Sequence, residues 1–113
     1  MSVVINNLKV SPKSLKKGIT AVTFTFDGFV TALSDNDVDL SITLDPTNPD
    51  VKVAAGSSPS WTATFKTTSS SFSKTINIEV KVAPPAPKIT AGNLHAKAND
   101  NSTDDAPFTF IYS

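Results

Sequence analysis

The sequence predicts an all-β sandwich. Three observations carry that prediction: apolar and polar residues alternate with a period of two in segment after segment, turn-forming residues separate those segments roughly every 8–12 positions, and no segment shows a convincing helical stripe. At the front, Ile5 to Val10 forms a weak strand that stops near Ser11-Pro12, and Lys13 to Lys17 has room for one short turn. Val22, Phe24 and Phe26 then share a face, with Thr23 and Thr25 opposite, and Asp27-Gly28 follows as a turn signal. Val38, Leu40, Ile42 and Leu44 alternate with Asp39, Ser41 and Thr43 without a break. Pro46 and Pro49 mark the Asp45–Asp50 stretch as a loop, because proline removes a backbone donor and forces its predecessor to be extended. Val51, Val53 and Ala55 make a short strand that ends at Gly56-Ser57-Ser58-Pro59. Trp61, Ala63 and Phe65 share the next face. After the polar stretch Thr67–Ser71, so do Ile76, Ile78, Val80 and Val82. Each strand thus has one dry and one wet side, a pattern that two sheets packed face to face satisfy directly. The strands are too short and too few for a barrel that holds a ligand.

A chain of 113 residues has room for one domain. It buries roughly 65% of its unfolded surface, which gives a self-sufficient core with modest reserve. Its charge balances to zero, and all ten basic residues are lysines. Nucleic-acid recognition leans on arginine for bidentate contacts and on a net positive field, so both its usual devices are missing. There is no cysteine, so packing alone must hold the sandwich together. The first residues have neither the basic segment nor the apolar segment of a signal peptide, and no run approaches the roughly 20 apolar residues of a membrane span. The expectation is a protein used without nucleic acid or membrane.

Composition changes at Ala83-Pro84-Pro85-Ala86-Pro87, which reads as a stiff connector. Beyond it lie Lys88–Ala91, a Gly92-Asn93 turn signal, Leu94–Ala98, the acidic loop Asn99–Asp105 and the apolar strand Phe108–Tyr112. These thirty residues are too apolar for disorder and too few for a core of their own. The chain is therefore expected to divide into a sandwich over residues 1–83 and a docking arm over 84–113. In the arm, Phe108, Phe110, Ile111 and Tyr112 are the candidate contacts, offered to an open sheet edge on a neighbour by strand addition. The alternative is that the tail completes the sandwich as its own final strands.

Ala21-Val22-Thr23-Phe24-Thr25-Phe26, followed by Val30-Thr31-Ala32-Leu33 and Asp37-Val38, resembles the bacterial immunoglobulin-like (Big-type) repeats. Ser60-Trp61-Thr62-Ala63-Thr64-Phe65-Lys66-Thr67 is similar to a later strand of those repeats, and Ile76–Val80 to their closing strand. The match covers residues 3 to 82. It departs from the family at Trp61, where tyrosine is usual, at Gly28-Phe29, which replaces Glu-Pro, in a shortened glycine-rich tip and in the tail, which has no counterpart. The resemblance implies an immunoglobulin-like sandwich of about seven strands with an additional C-terminal β arm. It also implies a non-enzymatic role in one of two settings. The first is a virion structural protein of a tailed phage, a capsid decoration, tail or baseplate accessory present in multiple copies in a symmetric assembly and contacting other virion proteins. The second is an adhesion module at the bacterial cell surface, part of a larger protein, that binds a host glycan or a surface protein.

No catalytic constellation can be assembled from one histidine, one glutamate, scattered aspartates and no cysteine, and no cofactor or metal is expected. His95 lies between Leu94 and Ala96, so alternation places it on the wet face as a surface histidine without a partner. Asp35-Asn36-Asp37-Val38-Asp39 has the alternating acids of a calcium loop, but Leu40 and Pro46 stand where an EF-hand requires glycine and glutamate. It reads as a solvated turn, as does the cluster of Asp100, Asp104 and Asp105. Between neighbouring domains of tandem adhesins, however, such acidic loops can bind calcium. Asn101-Ser102-Thr103 matches a glycosylation sequon, which carries little without a secretory context. Trp61 shares its face with Ala63 and Phe65 and is expected in the core. For glycan binding the candidate loops are Asp45–Asp50 and Ser57–Ser60.

Overall fold

The computed structural model describes residues 2–113. They form nine strands: β1 (Val3–Ser11), β2 (Ser14–Leu15), β3 (Gly18–Val30), β4 (Asn36–Leu44), β5 (Val51–Val53), β6 (Ser60–Phe65), β7 (Ser70–Val80), β8 (Lys88–Ala98) and β9 (Thr103–Tyr112). One sheet has the order β1-β3-β7-β5, the other β2-β9-β8-β4-β6. Every neighbouring pair is antiparallel except β2 and β9. The two inner faces follow from the alternation. Val22, Phe24 and Phe26 of β3 and Ile76, Ile78 and Val80 of β7 face Val38, Leu40 and Ile42 of β4 across the core. The fold is an immunoglobulin-like β-sandwich, with extents of 52 × 22 × 20 Å.

The structure corrects the division at residue 83. The proline-rich segment 81–87 carries the chain from one sheet to the other. β8 then sits between β4 and β9 in the second sheet, with β2 on the far side of β9. Phe108, Phe110 and Tyr112 are buried in the core, and only Ile111 points outward, at 47% exposure. Phe24 of the central strand β3 meets Phe108 and Phe110 edge-on, with ring centroids 5.2 and 6.4 Å apart. The apolar alternation of the tail is therefore spent inside its own sandwich, and no free arm remains to be offered to a neighbour.

Two glycines read as turns lie within strands. β3 runs straight through Asp27-Gly28, and β8 through Gly92-Asn93. In each case a phenylalanine ring occupies the space a side chain would fill: Phe65 lies over Gly28 and Phe108 over Gly92. A glycine inside a strand often marks such a close approach. By contrast, Gly56 has φ of +83°, and the turn around it closes with Ser57 N–H donating to the Ala54 carbonyl at 3.1 Å. The segment expected as one short turn, Lys13–Lys17, contains the two-residue strand β2, which pairs Ser14 with Ile111 and Leu15 with Tyr112.

Candidate interaction surface

Polar side chains pair across strands on the outward faces of both sheets. In β4, Asp37 and Asp39 accept hydrogen bonds from the hydroxyls of Thr64 and Thr62 on β6, each at 3.0 Å. The alternating acids of 35–39 therefore have the period of a strand, with two of them matched across a register of Asp37 to Thr64 and Asp39 to Thr62. Asp37 and Asp39 are thus strand residues, and only Asp35 stays in the exposed loop before β4. On the other sheet, Asp27 of β3 accepts from Asn7 Nδ2 at 3.0 Å and Ser71 Oγ at 2.9 Å. Those two bonds, the Asn7 one first, hold its carboxyl below the usual carboxylate range. Asn7 sits at the irregularity between Asn6 and Lys9 with φ of +57°, a conformation asparagine tolerates better than most residues.

His95 faces outward as expected, but it has a partner. The β8–β9 register sets it opposite Asp105, with Nδ1 at 2.7 Å from Asp105 Oδ1. Asn93 Nδ2 donates to the same oxygen at 2.8 Å. The Asn93 bond, then His95, lowers the Asp105 pKa. A lowered carboxylate contributes stability above its unfolded pKa, and that contribution is lost as pH falls through the folded value. Acidification from neutral therefore leaves this cluster intact until well into the acid range. We expect carboxyl-carbon NMR to place the Asp105 midpoint below that of an ordinary aspartate, and Asn93→Ala to raise it. An unchanged midpoint in the variant would sink this account. The sequence carried no signal for the pair, because opposition across a hairpin depends on where the turn falls.

Trp61 lies on the core-facing side of β6, as expected. β6 is an edge strand, however, so the ring is only partly buried, and the Lys74 ammonium stands 5.5 Å from its centroid. Trp61 borders a shallow surface depression with Asp39, Ser41, His95 and Lys97. The two loops considered for glycan binding do not meet. Asp45–Asp50 closes one end of the sandwich: Asn48 Nδ2 donates to Thr90 Oγ1 and to the Tyr112 hydroxyl, both at 3.1 Å. Ser57–Ser60 runs along the side instead, where the Ile42 N–H donates to the Pro59 carbonyl at 2.8 Å, midway along β4. Asp104 accepts from the Ile5 N–H at 2.9 Å and so ties β9 to β1. Among the described residues no three histidine, aspartate or glutamate side chains are placed to hold a metal ion.

Ile19, Leu33, Val82, Ile89 and Ile111 are the large hydrophobic side chains that stand exposed. Ile89 and Ile111 face each other across β8 and β9 on the outer face of the second sheet. Of the four residues expected to make contacts, only Ile111 belongs to such a surface.

No protein-family model and no curated protein matches the sequence. Solved structures do resemble the fold. The chain superposes over its whole length on a FixG-related protein from Vibrio parahaemolyticus, covering 98% of that chain with a TM-score of 0.63 at 10% identity. It also superposes over its whole length on 17% of an Escherichia coli alpha-2-macroglobulin fragment spanning domain MG7 to the C-terminus, with a TM-score of 0.62 at 8% identity. A third likeness is to a PapD-like domain of human CEP192, with 94% of this chain on 83% of that one, a TM-score of 0.56 and 8% identity. At these identities the likeness shows the fold alone.

Proposed function

We propose that this chain is a non-enzymatic structural module of a tailed-phage virion, a Big-type immunoglobulin-like domain serving as a capsid, tail or baseplate accessory. One observation carries the structural half of this reading: several outward polar side chains bond to one another across strands, while the exposed apolar ones stand at the ends of the sandwich. Such a surface is suited to contact with other proteins. The virion half rests on the Big-type resemblance of Ala21–Phe26 and Ser60–Thr67, which fall on β3 and β6. With the tail built into the core, attachment uses the ends and faces of the sandwich, and copy number in a symmetric shell supplies the avidity that one small contact lacks. Mass spectrometry of purified particles is the test. The expected result is this chain at a stoichiometry matching a symmetry of the particle, and its absence from particles would overturn the reading.

A second reading, an adhesion module binding a glycan, draws on the partly exposed indole of Trp61 at the edge strand β6, which offers a stacking plane beside the Lys74 ammonium. Glycan-array binding that Trp61→Ala abolishes would support it, and silence across a broad array would count against it.

A further inference from the structure

The elongated sandwich is polar along its length. One end gathers the loops 12–17, 45–50 and 81–87. Gly18 and Val51 both pair with Val80 there, Lys88 pairs with Tyr112, and the Lys81 N–H bonds the Asp50 carbonyl. The opposite end gathers 31–35, 66–69 and 99–102, with Val3 paired to Val30, Asn36 to Phe65, and the Val30 N–H bonded to the Lys66 carbonyl. The first end carries Lys13, Lys16, Lys17, Lys81 and Lys88, together with Lys52 next to Glu79. Against them it sets Asp45, Asp50 and Glu79. The second end carries Asp35, Asp37, Asp39, Asp100, Asp104 and Asp105 against Lys66 and Lys97. A chain with no net charge is thus basic at one end and acidic at the other.

The exposed apolar residues follow the same axis. Ile89 and Ile111 lie on one face of the basic end, Ile19 on its other face and Val82 just past β7, whereas Leu33 stands fully exposed in the 31–35 loop of the acidic end. Each end therefore offers apolar surface beside a charge opposite to that of the other end. We propose that copies of this chain associate head to tail, the basic isoleucine-bearing end of one docking on the acidic, Leu33-bearing end of the next. The contact is heterologous, so it closes into rings or continues as rows, according to the rotation between neighbours. It is also small. An end of 22 × 20 Å offers on the order of 400 Å² per partner, about half of a standard interface, so each contact is weak and depends on repetition. The proposal rests on the reading of the chain as a part of an assembly, but it is tested without particles.

The experiment is concentration-dependent NMR with sedimentation equilibrium on the full chain, at about 0.02 M and about 0.5 M salt. The expected result is weak association at low salt, at least about tenfold weaker at high salt, with shifts at both ends of the sandwich and not along its middle. A Lys16→Glu, Lys17→Glu variant and an Asp35→Lys, Asp37→Lys variant, each checked for native spectra, should each lose self-association, and an equimolar mixture of the two should regain it. Leu33→Ser should weaken association without changing its salt dependence. A wild-type chain monomeric at all concentrations, shifts confined to one end, or a mixture that stays monomeric would each overturn the proposal. Self-association without presence on particles overturns only the virion reading, and presence on particles without self-association overturns only the head-to-tail contact.

Discussion

A chain ending at Ala83 should not fold. The cut removes β8 and β9, two of the five strands of the second sheet. β4 then keeps only β6 as a neighbour, β2 loses its partner, and Phe24 loses the edges of Phe108 and Phe110. Leu94, Phe108, Phe110 and Tyr112 are all buried, and each such side chain is worth about 1.5–3 kcal/mol. That loss alone rivals the 5–15 kcal/mol by which a domain is stable, before the newly exposed faces of Val38, Leu40 and Ile42 are considered. The expected observations are collapsed amide dispersion, loss of near-ultraviolet dichroism and no cooperative unfolding transition. In the intact monomer, the amides of Phe108 and Phe110, which face β8, should exchange slowly. A truncated chain that unfolds cooperatively would restore the idea of a separate arm.

Most strands were legible because half-buried strands write their register into the sequence. Val38 to Leu44 and Ile76 to Val80 could be read residue by residue, and their inward faces are the ones buried. The tail carried the same signal: Phe108, Phe110 and Tyr112 share one parity and Ile111 the other. The resemblance that ends at residue 82 and the run of prolines after it nevertheless draw a border before the tail. Proline marks an extended crossing between sheets as readily as a boundary between units. Pairings were not legible. That Asp105 meets His95, or that Thr62 meets Asp39, depends on hairpin lengths and strand order, which alternation does not encode. The ends of the sandwich were hidden for the same reason, since Lys16 and Lys88 are far apart in the chain and come to one end only through the sheet topology.

The glycines make the sharpest test of this packing. A β-carbon added at Gly28 falls on the ring of Phe65, 2.7 Å from Cζ, and one at Gly92 falls on the ring of Phe108 with the Thr43 carbonyl 3.0 Å away. Neither ring is free to swing aside. Phe65 is fully buried and stacked on Phe72 at 4.7 Å, and Phe108 is wedged edge-on between Phe24 and Phe110. Were these glycines turn residues, alanine would cost little. As strand residues under aromatic rings, Gly28→Ala and Gly92→Ala should each destabilise by about 1–3 kcal/mol through overpacking, although alanine suits an ordinary strand better than glycine does. Phe65→Leu should cost a comparable amount by leaving a void, yet Gly28→Ala with Phe65→Leu should cost less than the sum, because the new methyl moves into the space the ring gives up. Urea unfolding of the two single variants and the double closes the cycle. Additive losses, or an alanine at residue 28 that is neutral, would mean that the ring does not rest on the glycine.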